Sequence, residues 1–388
     1  MRRVMCVYGT RPEAIKMAPV VAALAASERL EPVVTVTGQH REMLDQVNEL
    51  FGIVPDHDLD IIQPRQTLTD ITTRTIDRLN TILAAEKPDA VVVQGDTTTS
   101  MAGALTAFYH QIPVVHVEAG LRTDDIYSPF PEEMNRRITG RLATLHLPPT
   151  SLSRGNLLAE GIDPAAVVTT GNTVIDALVD VVHRKVPFTD PKLATLDDDP
   201  RRVLLVTTHR RESWGEKMAG VGRALARIAR ENPDLLIVLP LHRNPVVREV
   251  VLPPLAGLAN VVVVEPLPYG EFAHLIDRST IVLTDSGGVQ EEAPTLGKPV
   301  LVMRDNTERP EAVEAGTVRL VGTDEQVVVA EVTRLLTDEA YFTSMANAVN
   351  PYGDGKAAAR CVAAIEELLG VGTRLPDFAP ETQVPSGV

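Results

Sequence analysis

The sequence predicts an α/β protein made of two doubly wound parallel sheets, and three observations carry that expectation. Short β-branched runs alternate with helical stretches of about 10 to 20 residues almost from end to end. The runs are continuous Val/Ile/Leu, which suits strands covered by helices on both faces. They fall into two sets of six, separated by a short polar stretch, 190–202, that carries Pro191 and Pro200.

Taken in order, the expected strands of the first half are 4–8, 32–37, 90–93, 114–117, 144–147 and 167–169. Those of the second are 203–207, 235–239, 261–264, 281–283, 300–303 and 318–321. The boundary falls between Gly171 and Arg202 and is placed after residue 175, giving a first domain of 1–175 and a second of 176–372. From Thr373 the chain has no apolar period and contains Pro376, Pro380 and Pro385, so 373–388 is expected to be a disordered tail.

Composition limits the function classes. With 388 residues, 44% of them hydrophobic, the chain can bury the cores of two domains, and a mean hydropathy of +0.02 fits a soluble globular protein. Its 37 basic and 52 acidic residues leave a net charge of −15, which argues against nucleic acid and anionic membranes as partners. No apolar run reaches the roughly 18 to 20 residues of a membrane span. Cys6 and Cys361 stand at opposite ends of the chain in apolar surroundings, with no metal-ligand spacing, and read as buried thiols of a reducing cytoplasm.

Ligands of doubly wound sheets bind outside the carboxyl ends of the strands, so the residues after each strand form the candidate site. The most informative run is 284–292, TDSGGVQEE, directly after the apolar 281–283. A strand that stops at Ser286-Gly287-Gly288 and enters a helix presents backbone N–H groups with the positive end of the helix dipole behind them, a place for a diphosphate. Glu292 lies about one and a half turns on, where its carboxylate can accept hydrogen bonds from the sugar hydroxyls of a nucleotide. After the first strand come Gly9, Arg11 and Lys16, and an Arg at a helix start is unfavourable unless an anion balances it. Asp96 follows the strand 90–93, where an N-cap is an equally ordinary use, and Glu118 follows 114–117. Glu132 and Glu133 open a helix, as first-turn acids do for dipole reasons alone, and only the neighbouring carboxylates raise Glu132. His209, Arg210 and Arg211 leave one strand of the second half, His242 and Arg243 the next, and Arg309 another. Together they make a locally positive patch for an anionic ligand.

Ten motifs running in order from residue 9 to residue 355 resemble the non-hydrolysing UDP-N-acetylglucosamine 2-epimerases of bacteria. They are GTRPEAIK (9–16), QHREMLDQ (39–46), GDTTT (95–99), HVEAGLR (116–122), SPFPEE (128–133), GNTVID (171–176), HRRE (209–212), DSGGVQEE (285–292), ERPE (308–311) and NPYGDG (350–355). The resemblance implies a GT-B fold: two Rossmann-like domains around a central cleft, with the last helix crossing back onto the first. It also implies a homodimer, with UDP-GlcNAc and UDP-ManNAc as substrate and product. Carried onto this sequence, it makes Asp96, Glu118 and Glu132 the acid/base group and gives His209 the departing UDP. Arg11, Ser286, Gly287 and Gly288 hold the phosphates, Glu292 the ribose, and Lys16 and Arg309 the sugar end, with Arg136 and His242 completing the substrate set. Gln39, Glu42, Arg65, Gln66 and His242 match a second UDP-GlcNAc site that some relatives use for activation, although Glu42 stands where certain relatives carry Gln. Gln94 is a further departure, since the family often has His ahead of GDTTT. A neutral amide keeps the hydrogen bonding but carries no proton.

The chemistry of the residues agrees. The C2–H of an N-acetylhexosamine is not α to a carbonyl, so its inversion needs a special route. Transient oxidation requires a nicotinamide site, and no G-x-G-x-x-G follows the first strand. Expulsion of UDP from C1 with loss of the C2 proton, through a 2-acetamidoglucal, requires carboxylates and cations instead, and both sets are present. Neither a cofactor nor a metal is therefore expected. Crowded carboxylates raise one another's pKa, which lets one be protonated while another is ionised, but the sequence leaves open which is which. The competing readings are a hydrolysing 2-epimerase, a GT-B glycosyltransferase using a UDP-sugar, and a non-catalytic nucleotide-sugar sensor.

Overall fold

The computed structural model describes residues 1–123, 125–210, 214–307 and 309–380. They form two compact units, Met1–Ala177 with Tyr352–Ala379, and Leu178–Pro351.

The first unit holds a parallel sheet of β1 (Arg2–Tyr8), β2 (Leu30–Val36), β3 (His57–Asp58), β4 (Ala90–Gln94), β5 (Val114–Val117) and β6 (Leu145–Leu147), in the spatial order β3-β2-β1-β4-β5-β6. Val4 to Tyr8 of β1 are fully buried, as a central strand covered on both faces requires. The helix Leu68–Glu86 shows how the covering is built. Its buried residues Ile71, Thr75, Leu79 and Leu83 recur at every fourth position, so a single stripe lies on the sheet against Val91 and Val93. Truncating Leu79 or Leu83 to Ala would cost about 2 to 5 kcal/mol.

The second unit repeats the plan with β7 (Arg202–Thr207), β8 (Leu235–Pro240), β9 (Val261–Val264), β10 (Ile281–Thr284), β11 (Val300–Val302) and β12 (Val318–Leu320), in the order β12-β11-β10-β7-β8-β9. Renumbered from its own first strand, each sheet reads 3-2-1-4-5-6, so the strand order reverses between β1 and β4 in one and between β7 and β10 in the other. Such a reversal opens a crevice at the carboxyl ends of the two central strands. It is there that Gly9, Asp96, His209 and Ser286 emerge.

The expected strand 167–169 is corrected. Val167 makes a single bridge to His146, and the sixth ladder position of the first sheet goes to His57–Asp58, which has no apolar run to announce it. Around 167–169 the backbone groups are divided among several partners. Val168 N–H donates to His146 O at 3.0 Å, Thr169 N–H to Asp377 Oδ2 at 3.1 Å, and Thr169 O accepts Phe378 N–H at 2.7 Å. The same bonds overturn the disordered tail as far as residue 379, because Phe378 is buried and Asp377 is tied down. Residues 381–388 of that expectation lie outside the described residues. The helix Ala357–Leu368 belongs to the first unit and packs on the helix Arg11–Ala25. Its first turn is held by Asp176, whose carboxylate accepts Ala357 N–H at 3.2 Å and Ala358 N–H at 2.8 Å. Burial pushes that carboxyl up to about 6 in spite of both bonds. Cys6 and Cys361 are buried, and burial raises each thiol to about 12. Among the described residues, no helix is long and apolar enough to cross a membrane.

Candidate active site

At the carboxyl end of the first sheet, the chain is bent so that carboxylates converge. Gly95 has φ 67°, a conformation suited to glycine, and a Cβ there would lie 3.7 Å from Glu118 Oε2. Glu118 itself has φ 59°, strained for a residue with a side chain, with its N–H fixed to Leu147 O at 3.0 Å. Its buried carboxylate is gripped by donors. Lys16 Nζ lies 2.6 Å from both oxygens, Gln94 Nε2 donates to Oε2, and Asn172 Nδ2 donates to Oε1 at 3.3 Å. A carboxylate facing an ammonium and two amides is stabilised in its ionised form.

Asp96 is not the cap of the following helix. Thr97 takes that position, its hydroxyl accepting Ser100 N–H at 3.0 Å, which leaves the Asp96 side chain for other use. Asn135 Nδ2 donates to Asp96 O at 3.0 Å and Arg136 Nη2 lies 2.9 Å from Asp96 Oδ2, so the helix Glu132–Leu142 holds it from the far side. Burial raises the Asp96 carboxyl to about 6. Arg136 and Lys16 oppose the rise, and the charges of Glu118 and Glu132 assist it. A group titrating there can take and return a proton near neutral pH. Glu132 and Glu133 separate in role. Glu133 is buried in structural bonds, to Arg137 Nε at 2.7 Å and from Thr123 N–H at 3.1 Å, while the half-buried Glu132 adds its charge to the field at Asp96.

Sequence reasoning missed Glu13, the organiser of this end. One of its oxygens accepts Gly9 N–H at 3.1 Å and Thr10 N–H at 2.8 Å, and the other accepts the hydroxyls of Thr97 at 2.7 Å and Ser100 at 2.8 Å. The Thr10-x-x-Glu13 capping pattern was the available signal. Asn172 was likewise given no role, and Gln94 was credited with hydrogen bonding alone. Arg11 begins the helix Arg11–Ala25, half-buried. Gln39 Oε1 accepts the Thr99 hydroxyl at 2.9 Å and Gln66 Oε1 accepts Gln63 N–H at 3.1 Å, whereas Glu42 and Arg65 are exposed.

In the second unit the organiser is Asp285, also unassigned by sequence. Its Oδ2 accepts His209 N–H at 2.7 Å, Arg210 N–H at 2.9 Å and the Thr208 hydroxyl at 3.1 Å, and Oδ1 lies 2.9 Å from His209 Nδ1. Burial alone would raise this carboxyl, but the bonds and charge of His209 and the Arg210 N–H more than offset it, and it is held below the usual range. With Nδ1 of the half-exposed His209 ring set against Asp285, Nε2 is the ring nitrogen left for a ligand. The His242 ring stands 6.3 Å away, centre to centre, and its Nδ1 accepts Asn244 N–H at 3.1 Å.

The run after β10 forms the short helix Gly287–Glu292 behind Ser286, whose N–H bonds the Thr284 hydroxyl at 2.9 Å. Arg309 lies across the helix start. A Cβ on Gly287 would come within 2.8 Å of Arg309 Nη1, so a larger residue would have to displace the guanidinium, and Arg309 Nε bonds Glu291 Oε1 at 2.6 Å. Gly288 is exposed at the same turn. Glu292 is buried, one oxygen accepting the Tyr269 hydroxyl at 3.0 Å. Arg211 and Glu212 of HRRE and Glu308 of ERPE lie outside the described residues. Among the described residues no cluster of three or more His, Cys, Asp or Glu is arranged to hold a metal.

Two Rossmann-like units, one with a cationic, glycine-turned strand end and the other with a carboxylate cluster at its strand ends, are those of a GT-B-type α/β protein. The comparisons make this specific. The family profile for UDP-N-acetylglucosamine 2-epimerase matches residues 22–366. The UDP-N-acetylglucosamine 2-epimerase of Escherichia coli K12 is 55% identical over 370 residues, covering 94% of this chain and 98% of the relative. The structure of a candidate UDP-N-acetylglucosamine 2-epimerase from Listeria monocytogenes superposes with a TM-score of 0.91 at 49% identity, over 97% of this chain and 99% of that one. The Neisseria meningitidis UDP-GlcNAc 2-epimerase, solved with UDP-GlcNAc bound, gives 0.84 at 48% identity over 94% and 100%. The chain belongs to the UDP-N-acetylglucosamine 2-epimerase family.

Proposed function

We propose that this protein interconverts UDP-GlcNAc and UDP-ManNAc without hydrolysis, by elimination and re-addition of UDP. The observation that carries the reading is the carboxylate cluster: Asp96 raised to about 6 beside a donor-locked Glu118. The C1–O bond breaks and its electron pair leaves with UDP. The C2–H pair becomes the C1=C2 bond of a 2-acetamidoglucal, and the proton passes to a carboxylate of the cluster. Return of UDP to C1, with a proton delivered to the opposite face of C2, completes the inversion. His209, steered by Asp285, supports the departing diphosphate through Nε2, and Arg309 with the Ser286–Gly288 turn offers positive charge to the phosphates. Arg11 belongs with these phosphate groups and Lys16 with the sugar end. Glu292 takes the ribose, and Arg136 and His242 complete the binding set. UDP-GlcNAc bound in the Neisseria relative supports the same substrate here.

Incubation with UDP-GlcNAc alone, without added nicotinamide or metal, tests the proposal. Accumulation of UDP-ManNAc to a fixed ratio is expected, and stoichiometric free UDP with free ManNAc would instead mean a hydrolysing 2-epimerase. The reading extends to a cytoplasmic homodimer and to activation by UDP-GlcNAc through Gln39, Glu42, Arg65, Gln66 and His242. A monomer by sedimentation, or a strictly hyperbolic rate curve, would remove the respective part.

A further inference from the structure

Of the donors described on Glu118, Lys16 and Gln94 come from elements of the central switch point, but Asn172 arrives from a segment with a different dependence. Its side chain is buried, and Oδ1 accepts Val174 N–H at 3.1 Å at the start of the helix Thr173–Arg184. That bond settles the orientation of the amide, which can only turn its Nδ2 toward Glu118 Oε1, 3.3 Å away. The backbone of Asn172 is fixed in turn, its N–H donating to Tyr352 O at 2.6 Å. The fit there is close. A Cβ on Gly353 would lie 3.1 Å from Ile175 Cγ1, and Gly171, at φ 84°, would bring one to 3.4 Å from Gly353 Cα. The Glu118 carboxylate is thus steadied by a side chain that the returning segment, 352–353, holds in place.

We infer that Asn172 is a positioning residue for the epimerisation, holding Glu118 in its productive place and in its ionised form through an amide that does not itself titrate. The inference rests on Glu118 belonging to the acid/base group. Asn172 acts through Glu118, and its effect reaches the reaction as the placement and proton affinity of that carboxylate.

Asn172→Asp isolates this role. An Asp oxygen still accepts Val174 N–H, and the backbone bond to Tyr352 is untouched, but a second carboxylate oxygen replaces the donor facing Glu118. Two carboxylates at that distance share a proton. The expected result is a fall in kcat at pH 7 of roughly 10-fold or more, with KM changed less than about 3-fold, and a pH–kcat limb moved up by about one unit or more. A purely structural role would not move the pH limb, so a variant with the parental kcat and pH profile overturns the inference. Should Asn172→Asp fail to fold, Asn172→Ser, whose hydroxyl can still serve the Val174 turn, should lose kcat several-fold at unchanged KM, and an unchanged kcat overturns the inference. Glu118→Gln measured alongside separates the two levels. Near-normal turnover in Glu118→Gln sinks the catalytic reading itself. An inactive Glu118→Gln beside a parental Asn172 variant sinks only the role of Asn172.

Discussion

Arg136→Met should displace the acid limb of the pH–kcat profile. Asp96 titrates at about 6, burial having raised it and the guanidinium 2.9 Å from Oδ2 having limited the rise. An adjacent Arg lowers a carboxyl by about 1 to 3 units, so its loss should move Asp96 to between about 7 and 9. The sign follows from the form required. If Asp96 is the carboxylate that accepts the C2 proton, it must be ionised, and activity is present above its pKa and lost as pH falls through it. At pH 7 the ionised fraction drops from about 90% to between one half and about one hundredth, so kcat should fall roughly 2-fold to 100-fold and recover as pH is raised toward 9. Arg136→Lys keeps the charge and should leave the limb near 6. Saturating UDP-GlcNAc separates kcat from any loss of binding, and melting curves report folding. An acid limb that stays in place in Arg136→Met, or a loss that high pH does not recover, would refute the assignment of Asp96.

Asp96→Asn, Glu118→Gln and Glu132→Gln nearly preserve size while removing a proton carrier, and each should lose on the order of 100-fold or more in turnover while still binding UDP by calorimetry. Near-normal turnover in all three would place the chemistry elsewhere. Reaction in D₂O should put deuterium at C2 of both sugars, read by mass spectrometry, whereas product that retains the substrate hydrogen excludes elimination. His116 is fully buried, and desolvation lowers its imidazole from 6.5 to about 3, with Nε2 2.7 Å from Gly95 O. An unfolded chain takes up the proton that the native state refuses, so this contribution is present above pH 6.5 and lost as pH falls toward 3. Asp96 and Asp176, raised to about 6, act in the opposite sense over part of that range. The comparison must therefore be with His116→Gln, in which the stability lost between pH 8 and pH 5 should shrink by about 2 kcal/mol. Superimposed stability–pH curves for variant and parent would count against a neutral buried His116.

Most of the fold is local information. The continuous apolar runs at β1, β4, β5, β7, β8 and β10 have no alternative to a doubly covered parallel sheet, because their backbone must pair and both faces must be buried. The glycines and charged residues that follow them mark an end suited to phosphate through residue type and order alone. Where the sequence misled, the deciding interaction came from far along the chain. Val167 to Thr169 has strand composition, yet its partners include Asp377 and Phe378, so pairing across about 200 residues, not propensity, fixed its state and ordered the tail with it. His57–Asp58 became a strand because an edge position beside β2 was available.

The site divides along the same line. Asp96, Glu118, Glu132 and His209 are legible as strand-end and helix-start residues with chemistry to offer. The residues that set their charge and aim, Glu13, Gln94, Asn172 and Asp285, are ordinary polar side chains whose importance lies in who their neighbours are. Residue type and order determined which groups the chain brings to the carboxyl ends of its sheets. Only tertiary packing decided which carboxylate is gripped by donors and which is buried enough to titrate near neutrality, because desolvation and hydrogen bonding are properties of the assembled surroundings.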